Sequence, residues 1–173
     1  MWQFKAYSLL SNEEHQELLA IRNEQQIREF SHNSQEILFK EHLKWVGSLG
    51  LSSHYFALFV EGKVVGGVNY RKKGAEVLEW GIFFTKKLQP LVATMATFIF
   101  IEHMFKEHTV LHSEVLEENT QALRFNEYFG IRTVAQRNGS FCLQLTRKEW
   151  QKHRDVLRAV SRRVAHVVYE FEE

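Results

Sequence analysis

Between Tyr55 and Phe84 the chain carries three apolar runs in succession: Tyr55 to Val60, Lys63 to Tyr70 and Val77 to Phe84. Only Glu61-Gly62 and a short polar stretch around Gly74 part them. Runs of this length, rich in β-branched and aromatic residues, read as strands, and connections this short join antiparallel neighbours. An antiparallel meander must therefore form the middle of the fold. All-helical architectures are excluded. With 173 residues, 45% of them hydrophobic, and a single Pro, the chain suits one domain with a full core and little disorder.

The flanking segments follow a different period. Trp2 to Leu9 reads as a first strand, and Ser11 with Glu14 forms a capping box that starts a helix. Asn33 with Glu36 is a second start signal, ahead of Leu38, His42, Trp45, Val46 and Leu49 at helical spacing. Pro90 suits the first turn of a helix running to about Lys106, apolar nearly all round and hence sandwiched. Val110 to Leu116 is expected as a strand, Asn119 as an N-cap, Ala122 to Phe129 as a helix and Gly130 as its C′ residue. Asn138-Gly139 joins Thr133 to Gln136 and Phe141 to Leu145 in a closing hairpin. From Thr146, Trp150, His153, Leu157, Val160, Val164, Val167 and Phe171 recur at three- and four-residue steps. They read as a heptad-like helical seam, either docked on its own domain or offered to a second copy.

Charge and cysteine content narrow the function. Lys and Arg (22) nearly cancel Asp and Glu (21), so no global field favours nucleic acid or a membrane surface. Cys142 has no partner for a disulfide, and Met1 to Leu10 lacks the pattern of a signal peptide; a cytoplasmic setting is expected. Leu91 to Ile101 is too short to cross a bilayer. Glu14-His15, Glu41-His42, Glu102-His103 and Glu107-His108 are adjacent pairs that diverge on a helix, so no metal site is expected.

Asn119-Thr120-Gln121-Ala122-Leu123-Arg124-Phe125-Asn126-Glu127-Tyr128-Phe129-Gly130-Ile131 resembles the N-x-x-A-x-x-(L/F)-Y-x-x-x-G-(F/I) segment of the GNAT acetyltransferases. The order of elements resembles theirs too. Arg22-Asn23, Ile27, Phe30, Glu41-His42-Leu43, Trp45-Val46, Tyr55-Phe56 and Gly66 to Tyr70 are most similar to the members that acetylate a nucleotide-linked amino sugar in pseudaminic acid biosynthesis. The resemblance implies an α/β fold, a mixed and mostly antiparallel sheet flanked by helices, over residues 1–147, with 148–173 as a helical extension. It also implies acetyl-CoA as co-substrate, a small amine as the other partner, and a possible homodimer through the extension.

For the cofactor, the resemblance implies pantetheine along Ile82, Phe83 and Phe84, pyrophosphate on Gln89 and on the amides of Leu91, Val92, Ala93 and Thr94, and further contact at Asn119, Ala122 and Phe125. Two features depart from the family's pattern. Val92 and Thr94 replace small residues in the phosphate loop, and Asn126 stands where many members carry a Tyr acid. Glu79 or Glu114 is the expected base, and Arg22, Phe30, His42, Asn69 and Tyr70 the expected acceptor contacts. Arg22 would chelate diphosphate, Phe30 or Tyr70 would face a base, and His42 would bond a phosphate or hydroxyl. A binding module with a decayed cofactor cradle, and a transferase acting on protein N-termini or ribosomal proteins, are the competing readings.

Overall fold

The computed structural model describes all residues 1–173. Eight strands follow the order β6-β7-β5-β4-β3-β2-β1-β8 in a mixed sheet. They are β1 (Trp2–Ala6), β2 (Ser53–Val60), β3 (Lys63–Lys72), β4 (Val77–Phe84), β5 (Val110–Leu116), β6 (Arg132–Arg137), β7 (Ser140–Thr146) and β8 (Tyr169–Glu172). The helices are α1 (Asn12–Arg22), α2 (Gln25–Glu29), α3 (Phe39–Val46), α4 (Pro90–Met104), α5 (Thr120–Tyr128), α6 (Arg147–His153) and α7 (Arg158–Val164). The α/β expectation holds. The chain divides into two compact units, one of Met1–Arg71, Gly81–Gln89 and Val167–Glu173, the other of Lys72–Trp80 and Pro90–His166.

In the first unit, β2 is apolar on both faces because both are covered. Ala57 and Phe59 join Tyr7, Leu18, Ile21 and Val64 in a core under α1, with Tyr55 and Phe83 packed against it. Residues of opposite parity meet β8: Phe171 stacks on Phe4 at 4.4 Å between centroids and meets Phe56 edge-on at 5.6 Å. β8 pairs parallel to β1, with Trp2 opposite Tyr169. Glu61 and Gly62 both take positive φ at the β2–β3 turn, as a tight right-twisting hairpin requires. The register slips between Leu58 and Phe59, which face Gly66 and Val64, so Val65 bulges out of the ladder. Its carbonyl instead accepts the Thr85 N–H at 2.9 Å, which ties down the end of β4. A Cβ on Gly66 would overlap the Phe83 carbonyl oxygen and lie 2.9 Å from the Phe84 Cα.

In the second unit, α4 buries every residue from Met95 to Ile101, which is why its sequence lacks a polar face. Trp150 is 2% exposed, packs on Phe98 at 5.2 Å, and donates its indole N–H to Glu102. β4 runs parallel to β5 from the Val77–Val110 pair, and β5 pairs antiparallel to β7 over its whole length. The Asn138-Gly139 hairpin forms as expected.

Three local expectations are corrected. The first strand stops at Ala6 and gives way to a single 3-10 turn, Tyr7–Leu9. Asn33 and Glu36 start no helix; α3 begins at Phe39, with Glu41 reaching back to the Leu38 N–H. The seam after Thr146 is two short helices and a strand. Its Trp150, Leu157 and Val160 are 2–4% exposed within this chain, and so are core residues. Gly66→Ala is expected to destabilise the protein by about 1–3 kcal/mol in urea unfolding with m unchanged, because main-chain atoms must move to admit one methyl group.

Candidate functional site

A cavity of about 590 Å³ opens inside the first unit, lined by residues from the 3-10 turn, α1, the segment between α2 and α3, α3, β2, β3 and β4. Its wall is aromatic. Tyr7, Trp45, Tyr55 and Phe83 all line it, and Tyr7 meets Trp45 edge-on at 6.2 Å and Tyr55 at 5.7 Å. Gly67 makes room for this wall: a Cβ there would fall 2.7 Å from the Phe83 ring and 2.8 Å from the Tyr7 hydroxyl. Gly81 does the same for Asn69, whose Oδ1 lies 3.2 Å from where a Cβ would stand.

The polar groups are placed by a few side-chain bonds. Asn23, just past α1, clamps Ile37 through both halves of its amide, Oδ1 accepting the Ile37 N–H and Nδ2 donating to the Ile37 carbonyl, each at 2.9 Å. That clamp holds the segment carrying Asn33, Gln35 and Glu36 across the cavity. Glu24 accepts the Thr85 hydroxyl at 2.6 Å and the Lys86 N–H at 3.1 Å, fixing the start of α2 to the chain leaving β4. Arg22 points inward from the end of α1, with one Nη–H donated to the Asn33 carbonyl at 3.5 Å. Its other terminal nitrogen, Nη1, is buried without a partner, and no carboxylate lies within ion-pair distance of the guanidinium. Burial lowers the Arg22 pKa from its ordinary value, yet a guanidinium stays charged. It is a cation awaiting a counter-charge.

His15 and His42 form a buried pair with Nδ1 of the first 3.0 Å from Nε2 of the second. Burial, and then the neighbouring His15 ring, push His42 down to about 4 from 6.5; burial also lowers His15, against the pull of Glu14. Tyr7 is raised by burial and by Tyr55, with Arg22 opposing.

Of the expected acceptor contacts, Arg22, His42 and Asn69 line the cavity and the other two do not. Phe30 is 41% exposed after α2, and Tyr70 is buried on the opposite parity of β3, stacked on His54 at 4.5 Å. Tyr7 and His15 are not among the expected site residues, and Asn23 enters only through the resemblance: Tyr7 reads as a strand residue, and no spacing rule pairs His15 with a ring 27 positions away. Glu79 shares a strand face with Gly81 and Phe83 by alternation, and is ion-paired to Lys73 at 2.8 Å. Glu114 is exposed on β5 opposite Cys142. Ile82, Phe83 and Phe84 are half-buried at the end of β4. Asn119 caps α5 by accepting the Ala122 N–H at 3.0 Å. Phe125, an expected cofactor contact, is half-buried against Phe129, whereas Asn126 is buried with its amide bonded to the Ala122 carbonyl.

Known structures share this fold. The chain is similar to the Campylobacter jejuni N-acetyltransferase PseH in complex with acetyl coenzyme A, with TM-score 0.70 and 18% identity over 85% of this chain and 99% of that one. It is also similar to the aminoglycoside acetyltransferase AAC(6')-Ib in complex with coenzyme A (TM-score 0.71, 15% identity, 89% and 99% covered). A GCN5-related N-acetyltransferase from Brucella melitensis matches with TM-score 0.71 and 21% identity over 87% of this chain and 79% of that one. The fold is thus the GNAT acetyltransferase fold. No protein-family model matches the chain, and no curated protein matches it in sequence.

The histidine pair gives a testable pH dependence. Both rings have folded pKa values below the ordinary 6.5, so the unfolded chain binds more protons in the window beneath it. Their contribution is complete above pH 6.5 and is lost as pH falls toward about 4. Urea unfolding should show stability falling as pH drops across that window, and His42→Gln should flatten the slope. Glu13 and Glu14 are held below 4.5, so their effect lies lower.

Proposed function

We propose that this protein is an acetyl-CoA-dependent N-acetyltransferase whose acceptor amine enters the cavity beside β4, and that the acceptor is a nucleotide-linked amino sugar. The observation that carries the reading is the unpaired Arg22 guanidinium inside an aromatic-walled cavity next to Asn69 and Phe83. An anionic and partly aromatic acceptor meets both demands, the diphosphate on Arg22 and the flat base against the aromatic wall. The PseH structure, which binds acetyl coenzyme A in the same fold, supports the cofactor assignment.

On this reading the first turn of α4 would take the pyrophosphate. Helix geometry leaves the Gln89, Leu91 and Val92 amides without intrahelical acceptors, at the positive end of a 15-residue helix. The Thr94 hydroxyl is folded back on the Pro90 carbonyl at 2.8 Å, so it lies along the helix rather than across its end. Bound acetyl-CoA would supply a thioester already activated for attack by an amine. The chain's own residues then have three tasks. Main-chain groups of Ile82 to Phe84 orient the pantetheine arm as an added strand would. Arg22 and Asn69 fix the acceptor. Glu79 or Glu114 takes the proton the amine gives up, Glu79 after parting from Lys73.

Calorimetric titration tests the cofactor: acetyl-CoA should bind at micromolar to sub-millimolar concentration, and silence at millimolar cofactor would overturn the reading. With an acceptor in hand, replacing the operative carboxylate by Gln should lower kcat by about 10²- to 10⁴-fold with little change in KM. Unchanged turnover in both Glu79→Gln and Glu114→Gln would remove the strand-borne base.

A further inference from the structure

The cavity holds a second donor that the reading above leaves unused. Tyr7 is 5% exposed, yet its hydroxyl bonds to no group of the protein, although a buried phenol usually finds a partner. Its ring is locked by His15, His42, Trp45 and Tyr55, at centroid distances of 5.7–6.3 Å. The hydroxyl rests over Gly67, the one residue of β3 that leaves space for it. Tyr7 and Arg22 line the same cavity. Two donors, one neutral and one cationic, therefore face one cavity, and the Asn33 carbonyl at 3.5 Å from Arg22 is the one protein acceptor that engages either of them. Glu36 and Glu41 also line the cavity but are exposed, and Glu41 is engaged by the Leu38 N–H at 3.3 Å.

We propose that the Tyr7 hydroxyl and the Arg22 guanidinium together form a phosphoryl-binding site, so that Tyr7 is a specificity-determining residue for a phosphate-bearing acceptor. This rests on the acceptor reading but not on the transfer chemistry. A planar guanidinium grips two oxygens of a phosphoryl group, and a phenol held rigidly beside it donates to a further one. Gly67 is then part of the site, because any side chain there displaces the hydroxyl or Phe83. A neutral acceptor would leave the buried Arg22 Nη1 unsatisfied and would be rejected on that ground.

Titrations with UDP, with uridine and with inorganic pyrophosphate, on protein saturated with free CoA so that the α4 site is occupied, test the proposal. UDP and pyrophosphate should bind while uridine binds at least about 10-fold more weakly. Tyr7→Phe should weaken UDP by about 3- to 10-fold and Arg22→Gln by about 10- to 100-fold, with acetyl-CoA affinity and thermal unfolding unchanged in Tyr7→Phe. Equal UDP affinity in wild type and Tyr7→Phe, or no binding of UDP in the presence of CoA, overturns it. Tyr7-dependent UDP binding without any acetyl transfer would uphold this site and reject the transferase reading. Transfer to a phosphate-free amine with Tyr7→Phe fully active would do the reverse.

Discussion

The close approach of β3 to the end of β4 is the constraint from which the site follows. Two successive glycines permit it. At Gly66 the main chain of Phe83 and Phe84 occupies the space a side chain would need, and at Gly67 the Tyr7 hydroxyl and the Phe83 ring do so. The bulge at Val65 frees a carbonyl that holds Thr85, so the strand is anchored where the cavity begins. A side chain at either glycine would push apart the strands that hold Phe83, and with it the cavity wall.

Burial then sets the chemistry. A guanidinium removed from water without a counter-charge is costly, and a fold keeps such a group where a ligand completes it. Arg22 is in that position, while neighbouring charges are already spent: Glu24 on Thr85 and Lys86, and Glu14 on Lys5 at 2.9 Å. Burial also disfavours the charged form of the His15–His42 pair, so the histidines add no competing positive charge beside Arg22 at neutral pH. Asn23 and Glu24 work by position alone, closing the α1–α2 junction over the end of β4.

Much of the fold could be read from local chemistry because the signals were local. The Ser11 and Thr146 capping boxes, the Glu61-Gly62 and Asn138-Gly139 turns and the all-round apolar α4 each act within a few residues. The tail misled because a three- and four-residue apolar rhythm suits one long helix as well as two short ones, and nothing in the rhythm announces the strand that pairs with β1. Of the acceptor contacts named through resemblance, Arg22, His42 and Asn69 line the cavity. Tyr7 and the His15–His42 contact arise from tertiary packing between a turn and two helices, which no local spacing encodes. Phe30 and Tyr70 lie outside the cavity lining, because aromatic identity does not reveal which way a side chain faces.

The most direct test is a crystal structure of the protein with acetyl-CoA bound. The account predicts the pantetheine amides paired with main-chain groups of Ile82 to Phe84 and the acetyl group opening into the space between Tyr7, Arg22 and Asn69. A cofactor bound with its acetyl group directed away from that space would contradict it.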